Sequence, residues 1–341
     1  MQEQVIFEEG KLYRLNKNIK LFLNYFLGPV LFVWVCYSVW KQISNQPDLE
    51  KHLQRIYNAA TGREAWKLIA VLLLMLVNWG IEARKWQVLL SGLQKISFLQ
   101  AFKAILSGVA FSLNTPNRIG EYGGRVLFIS PGNRLRAISL TIAGSFSQLL
   151  ITLTLGAAGL FFLSDELAKT EMFSALRIWI TVLKTLVIFA VAVGFIIYFK
   201  LSWLIRGVEK LPGMEKFVKH IAVLEDMNVS ILLRVLSLSL TRFMVFIIQY
   251  VLMLQLMQVE ITWWQGFWSV CVLFLLLATI PTIALLELGL RWEYSIVLFS
   301  LFSANVVGMY AAATGIWLIN LVLPAMAGSL FLLGIRIYKS K

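Results

Sequence analysis

The sequence predicts an all-α polytopic membrane protein, and three observations lead to that fold class. Of the 341 residues, 59% are hydrophobic and only 14% are charged, and the mean hydropathy is +0.77. A water-soluble core does not bury that much apolar surface. The long apolar segments also lack the alternation typical of a membrane β-barrel, so bundled helices are the spanning structure that we expect. We interpret residues 1–341 as a single transmembrane domain.

Hydropathy predicts full spans wherever an apolar run approaches the roughly 20 residues that a helix needs to cross a bilayer. Six segments qualify: Leu21–Trp40, Leu68–Leu90, Ala137–Leu163, Ile178–Phe199, Ile231–Met257 and Asn305–Gly334. Two more segments, Phe98–Ser130 and Trp264–Phe302, are apolar but interrupted by polar turns. We interpret these two as re-entrant or broken-helix hairpins, and residues 201–229 as a cytoplasmic amphipathic linker.

Basic residues predict the orientation. They cluster before the first span, after the second and fourth spans and at the chain end, all on one side if each hairpin returns to the face it entered. The positive-inside rule then makes both termini cytoplasmic. The loop 41–67 has five basic residues on the outer side, against this rule. The helical spacing of Leu49, Leu53 and Ile56 favours an interfacial amphipathic helix there.

The order span, hairpin, span occurs twice, over residues 68–163 and 231–334. The predicted orientation makes the second copy enter from the opposite face, which defines an inverted-topology repeat. Transporters commonly use such repeats, with broken helices that meet near the midplane. Two unrelated hairpins that only fill space are the alternative.

The first polar turn is the strongest candidate for a binding site. Its candidate residues are Asn114, Thr115, Arg118, Gly120, Glu121, Gly123, Gly124 and Arg125. Proline at position 116 fixes a turn, the glycines permit close backbone approach, and the two arginines offer forked donors suited to phosphate. Two arginines for one acid leave a positive surplus that an anionic head group can neutralise. The alternative is a buried ion pair that only closes the hairpin.

The second polar turn, Pro281–Glu293, contains the charged residues Glu287, Arg291 and Glu293. Either carboxylate is a candidate site for a coupling proton, or it pairs with Arg291 or Arg242. Arg242 lies near the middle of its predicted span and therefore needs a partner, for which the candidates are Glu287, Glu293 or a bound lipid phosphate.

Several classes of function are disfavoured. Cys36 and Cys271 lie in apolar runs without a CxxC pattern, and the two histidines lie in charged linkers, so we expect no metal and no cofactor. The net charge of +13 arises mostly from basic residues beside spans, so nucleic acid is not an expected partner. No phosphate-binding loop, nucleophile elbow or zinc-binding helix motif occurs in the sequence.

The stretch of residues 114–121, Asn-Thr-Pro-Asn-Arg-Ile-Gly-Glu, resembles the lysylphosphatidylglycerol synthase transmembrane region family, whose pattern is TPGR-hydrophobic-GE. Residues 84–90 look like the RW-x-x-LL element of that family, and Pro281–Glu293 occupies the place of its second proline, glycine and glutamate turn. The sequence departs from the pattern at Asn117, where the family often has glycine, and at residues 282–286, which replace a glycine-rich run.

Members of that family are similar to the flippase half of the multiple peptide resistance factor, which moves aminoacylated phosphatidylglycerol across the bacterial inner membrane. The resemblance implies a flippase-like transporter of an anionic or aminoacylated phospholipid or glycolipid, with membrane lipids as partners and no enzymatic activity. Two other interpretations stay open. One is an intramembrane transferase that acts on a lipid head group through Thr115, Glu121 or Tyr122. The other is a scaffold that recruits a lipid synthase through the linker; self-association into a homo-oligomer is also open.

Overall fold

The computed structural model describes residues 61–113, 115, 118–168, 177–200, 221–225, 227–280 and 284–333, together with Val33, Tyr37, Gln54, Tyr57, Asn58 and Glu209. All regular structure in these ranges is helical. The predicted span Leu21–Trp40 and linker 201–229 lie largely outside the described residues, as does most of the loop 41–67.

The described α-helices form two sets in chain order, those that end before residue 201 and those that begin at residue 229 or later. The first comprises α1 (Ala65–Leu89), α2 (Phe98–Ser112), α3 (Gly120–Val126), α4 (Arg134–Phe162), α5 (Ser164–Ala168) and α6 (Arg177–Phe199). The second comprises α7 (Val229–Leu256), α8 (Trp263–Thr279), α9 (Ala284–Phe299), α10 (Val306–Trp317) and α11 (Leu323–Leu333). Short 3₁₀ turns occupy Pro131–Asn133 and Ala222–Leu224.

In the part of the chain that the structure describes, five helical segments are long and apolar enough to cross a membrane. They are Ala65–Leu89, Pro131–Phe162, Thr181–Phe199, Val229–Leu256 and Val306–Leu332. Each overlaps a predicted span, and the protein is therefore an α-helical membrane protein. The hairpin helices α2 and α8 are shorter, with 15 and 17 residues.

The first helix of each hairpin begins with the same capping arrangement. The Ser97 hydroxyl accepts a hydrogen bond from the Gln100 backbone, and the Gln100 side chain accepts one from the Ser97 backbone. Thr262 and Gln265 repeat this capping box at the start of α8. Two otherwise unpaired backbone donors are satisfied at each site, which fixes where each hairpin begins.

The polar turns are shorter than the sequence predicts. Residues 120–126 form α3, and α9 begins at Ala284, so Glu121, Arg125, Glu287 and Arg291 lie on helices rather than in turns. The reason is local. In each helix a glutamate precedes an arginine by four residues, which stabilises a helix by bringing the two side chains together.

The predicted span Asn305–Gly334 is a helix with an irregular centre. Leu318–Val322 forms a π-helical segment between α10 and α11. Pro324 lies four residues after Asn320 and has no backbone N–H to donate to the Asn320 carbonyl. The regular hydrogen-bond pattern therefore widens at Asn320, in the way that π segments interrupt α-helices at functional sites.

Helix packing follows a regular scheme. The long helices α1 and α7 pack against each other, and the Gln249 side chain of α7 donates to the Val71 carbonyl of α1 at 2.8 Å. Helix α2 packs against α11, and α8 packs against α4. Each hairpin therefore packs its first helix on the last span of the other half of the chain.

Glycines permit these close contacts between halves. A Cβ atom on Gly328 of α11 would overlap the Leu106 carbonyl oxygen of α2. A Cβ atom on Gly159 of α4 would lie 2.9 Å from the Trp268 carbonyl oxygen of α8. Backbone atoms that meet this closely leave no room for a side chain, as at small-residue interfaces between membrane helices.

We expect Gly328→Ala to destabilise the protein. Alanine stabilises a helix by about 1 kcal/mol relative to glycine. However, the new Cβ atom would overlap the Leu106 carbonyl oxygen, a backbone atom that cannot move aside. The resulting strain exceeds the gain in helix stability. Thermal unfolding of the detergent-purified protein should show a lowered midpoint. The control is Gly92→Ala, where no atom lies within 4 Å of the new Cβ. Equal midpoints for both variants would contradict the assigned packing of α2 on α11.

Candidate functional site

The buried carboxylate of Glu82 is the centre of a first ionic cluster. Glu82 lies on α1 with its side chain 6% exposed. Among the described residues it contacts three cations: Lys85 Nζ at 2.8 Å, Arg125 Nη2 at 3.0 Å and Arg242 Nη1 at 3.2 Å. Arg125 also pairs with Glu121 within α3. The cluster therefore joins α1, α3 and α7 and contains three basic and two acidic side chains.

Residues of α1 and α7 hold the Arg242 side chain in place. Its Nε atom donates to the Asn78 side-chain oxygen at 2.9 Å. Its guanidinium carbon lies 5.2 Å from the ring centres of both Trp79 and Phe246, in cation–π geometry. The charge is thus oriented by packing as well as by Glu82, which is what a cation in the middle of an apolar helix requires.

A second ionic cluster joins the two hairpins. Arg118, next to α3, donates through Nη2 to both Glu287 oxygens of α9, at 3.2 and 3.0 Å. Arg291, one turn further along α9, donates to Glu287 at 2.8 Å. The Arg118 side chain is 42% exposed, whereas Arg291 is 7% exposed. This cluster has two basic side chains for one acid, so each cluster has one positive charge in excess.

The turn before α3 places Arg118 by local backbone contacts. Arg118 has a φ of 56°, a left-handed conformation that costs a non-glycine residue energy and is concentrated at functional sites. The Thr115 hydroxyl donates to the Ser112 carbonyl and accepts from the Gly120 backbone at 2.9 Å. A Cβ atom on Gly120 would overlap the Phe111 carbonyl oxygen. Thr115 and Gly120 therefore build the turn.

Both clusters border one cavity of about 490 Å³. Its charged wall consists of Arg118, Arg242, Glu287 and Arg291. Its apolar wall comes from α4, α7, α8 and α10 and contains Leu149, Phe243, Phe246, Phe274, Leu277 and Ile316. Leu149 and Ile280, each 39% exposed, mark a side where the cavity reaches the protein surface.

The cavity lies at mid-depth in the helix bundle. Gln148 is the middle residue of α4, Arg242 is at the middle of α7, and Asn320 is at the middle of the segment that α10 and α11 form. Trp79 lies two residues past the middle of α1. Because the central residues of four spanning segments line the same space, that space lies near the centre of the hydrocarbon layer that these helices would cross.

Several buried polar atoms on the cavity wall have no hydrogen-bond partner among the described residues. The donors are the indole N–H groups of Trp79 and Trp317. The acceptors are the side-chain oxygens of Gln148 and Asn320. An unpaired buried polar atom costs about 1–3 kcal/mol, so this wall is suited to a ligand that accepts several hydrogen bonds and offers one or two.

Several expectations about these residues are wrong. Arg242 contacts Glu82, not Glu287 or Glu293, because α7 packs along α1. Glu293 is exposed and lies away from the ionic clusters, since it is on a different face of α9 from Glu287 and Arg291. A Cβ atom on Gly123 would meet nothing within 4 Å, so Gly123 does not serve close approach, whereas Gly124 does, because its Cβ would lie 2.6 Å from Gly108 Cα.

The other site residues divide by position. Four of them line the cavity: Arg118, Arg242, Glu287 and Arg291. Two others, Glu121 and Arg125, do not line it but are linked to Arg242 by ion pairs, because Arg125 and Arg242 both contact Glu82. Asn114 lies outside the described residues.

Glu82 and Lys85 are the main site residues that sequence reasoning does not identify. Both residues lie near the end of the predicted span Leu68–Leu90, and Lys85 is only 1% exposed. The feature of the sequence that could have identified them is their spacing along the helix. Asn78, Glu82 and Lys85 occur four and three residues apart in a largely apolar helix, which places them on one face.

A short sequence pattern occurs once in each hairpin. Glu121-x-Gly123-x-Arg125 and Glu287-x-Gly289-x-Arg291 share the form E-x-G-x-R, and each contains an ion pair four residues apart. No atom lies within 4 Å of a Cβ position built on Gly123 or Gly289, so both glycines leave open space beside the ion pair. The pattern is too short to establish a repeat by sequence, and what the two copies share in the structure is an ion pair between residues four apart.

The hairpins also agree in the distance between cap and proline. The capping residues Ser97 and Thr262 precede the hairpin prolines Pro116 and Pro281 by the same 19 residues. The first arm of each hairpin therefore has the same number of residues from cap to proline, although α2 and α8 differ in length by two residues.

These features define an α-helical membrane protein with a cationic cavity at mid-depth. A comparison with models of protein families gave no match, and a comparison with curated proteins gave none either. The cavity is therefore the basis for assigning a function. In the ranges that the structure describes, no group of histidine, cysteine and acidic residues is arranged to hold a metal ion.

We expect Glu82→Gln to destabilise the protein by about 3–5 kcal/mol, because it leaves Lys85, Arg125 and Arg242 buried with one carboxylate fewer. Thermal or denaturant unfolding in detergent measures the loss. The matched control is Glu64→Gln, whose carboxylate is 54% exposed and pairs with Lys67. It should change stability by less than about 1 kcal/mol. A Glu82→Gln variant as stable as the control would show that Glu82 does not stabilise the cluster.

Proposed function

We propose that this protein translocates anionic lipids across a membrane, in the manner of a flippase, and that the bacterial inner membrane is its site of action. The substrate is an anionic or aminoacylated phospholipid or glycolipid. Its head group enters the cationic cavity while its acyl chains stay in the bilayer. The observation that carries the proposal is a cavity at mid-depth that combines excess positive charge, unpaired buried donors and an apolar wall.

The electrostatics favour an anion as the ligand. The two clusters contain five basic and three acidic side chains, so they have a formal surplus of two positive charges. Excess charge in a low-dielectric interior is costly, and a bound phosphate would offset it through charge-assisted hydrogen bonds to arginine. Structural ion pairs alone would more readily be built with equal numbers of acids and bases.

The shape of the cavity favours a lipid over a soluble anion. Phe246, Phe274 and Leu277 line it, and it reaches the surface beside Leu149 and Ile280. In a membrane, a side opening at this depth faces acyl chains rather than water. A soluble anion would gain nothing from such walls, whereas a lipid can place its head group on the arginines and its tails along the aromatic side chains.

An inverted-topology repeat supplies the mechanism that we infer. The reciprocal packing of α2 on α11 and α8 on α4, the two capping boxes and the two E-x-G-x-R pairs support a two-fold relation between residues 68–163 and 231–334. The Arg118–Glu287 ion pair joins the hairpins of the two halves. A bound phosphate can replace Glu287 as the partner of Arg118, which releases one hairpin from the other and permits alternating access.

The test is lipid movement in liposomes that contain the purified protein and acyl-labelled phosphatidylglycerol, followed by chemical quenching of the label in the outer leaflet. We expect the wild type to move the label faster than protein-free liposomes. Arg118→Ala should lower the rate at least about tenfold, because it removes a charge-assisted contact to the head group. The control Arg234→Gln removes an exposed positive charge from α7 and should keep the wild-type rate.

Failure to move phosphatidylglycerol, phosphatidic acid and lysyl-phosphatidylglycerol alike would refute the proposal. Mass spectrometry of the same liposomes separates transport from chemistry, since a covalently altered head group would indicate a transferase. Capture of a lipid synthase by a protein that moves no lipid would indicate a scaffold.

A further inference from the structure

We infer that the cavity selects a lipid whose head group carries two negative charges, such as a phosphomonoester or a diphosphate, over a lipid with a single phosphodiester charge. This inference rests on the proposed function and specifies the substrate class. The inference follows from the positions of the unneutralised positive charges in the two ionic clusters.

The charges behind the cavity wall balance. Lys85 and Arg125 are equal in number to Glu82 and Glu121, and the four side chains are joined through their ion pairs, with Glu82 also in contact with Arg242. None of these four side chains lines the cavity. The part of the network that is remote from the ligand therefore needs no further neutralisation.

The charges on the cavity wall do not balance. Arg118, Arg242 and Arg291 face the cavity with Glu287 as the one acid among its described lining residues. The whole surplus of two positive charges is thus at the surface that a ligand would touch. A ligand with one negative charge would leave a cation in excess in the low-dielectric interior, and a ligand with two would neutralise it.

The unpaired donors agree with this charge count. Arg118 and Arg242 line the cavity with their guanidinium groups, and Trp79 and Trp317 each have an unpaired indole N–H at 2% exposure. A terminal phosphate has three unsubstituted oxygens and accepts this many hydrogen bonds, while a phosphodiester has two unsubstituted oxygens and carries a bulky substituent toward the donors.

A matched pair of lipids tests the inference. Phosphatidic acid and its methyl ester, phosphatidylmethanol, have the same acyl chains, but at about pH 9 the first carries close to two negative charges and the second carries one. Their affinities are compared by equilibrium binding to the full chain in nanodiscs of neutral phosphatidylcholine. We expect phosphatidic acid to bind at least about tenfold more tightly, because it adds one charge-assisted interaction in a buried site.

Two substitutions separate charge from structure. Arg118→Gln reduces the surplus to one positive charge and leaves Glu287 paired with Arg291, so the preference for phosphatidic acid should fall toward equality. Glu287→Gln increases the surplus to three, so the preference should be kept or increased. Arg234→Gln, an exposed charge on the same helix as Arg242, should have no effect on it. Equal losses in both cavity variants would overturn the charge argument.

The outcomes distinguish the inference from the proposed function. If both lipids bind equally while labelled phosphatidylglycerol is still moved across liposomes, the dianion inference is wrong and the transport proposal stands. If phosphatidic acid binds selectively but no lipid moves, the transport proposal is wrong. If millimolar inorganic phosphate displaces phosphatidic acid as well as unlabelled phosphatidic acid does, the ligand is a soluble anion and the inference of a lipid is overturned.

Discussion

The Glu82 carboxylate is the interaction on which the arrangement of this bundle depends. Three cations from α1, α3 and α7 meet on it, and each is nearly or fully buried. Moving a charge into an apolar interior costs several kcal/mol unless a partner of opposite sign is close. The positions of α3 and α7 relative to α1 are thus constrained by electrostatics as well as by packing, and the cavity lies where those constraints leave Arg242 facing open space.

The two ionic clusters differ in a way that suits their places. The first is enclosed, with Glu82, Lys85 and Arg125 all buried, and it ties a hairpin to the long helices. The second is accessible, because Arg118 is nearly half exposed, and it ties one hairpin to the other. An enclosed pair stabilises a fixed geometry, whereas an accessible pair can exchange partners with a charged ligand. The first cluster therefore contributes mainly to stability, and the second is the one suited to binding a ligand.

Particular residues show how far local sequence reasoning reaches in this chain. The broken hairpins were predictable, because charge and proline inside an apolar segment end a helix whatever surrounds it. The partner of Arg242 was not predictable, because Glu82 lies 160 residues away in sequence and only the packing of α7 on α1 brings them together. The position of Asn320 on the cavity wall was not predictable either, because it too depends on how distant helices pack. Pro324 indicates an irregular helix at this point but not what the helix faces.

The sequence by itself determined that the protein is a helical membrane protein, approximately where five of its long apolar helices lie, and that arginines and glutamates interrupt the apolar segments. Those properties follow from hydropathy, helix periodicity and proline chemistry, which act over a few residues. Only the tertiary structure decided which charges neutralise each other and which remain for a ligand. A direct ion pair forms only when the charged atoms lie within about 4 Å of each other. The surplus of positive charge on one cavity wall therefore exists only once distant helices have packed.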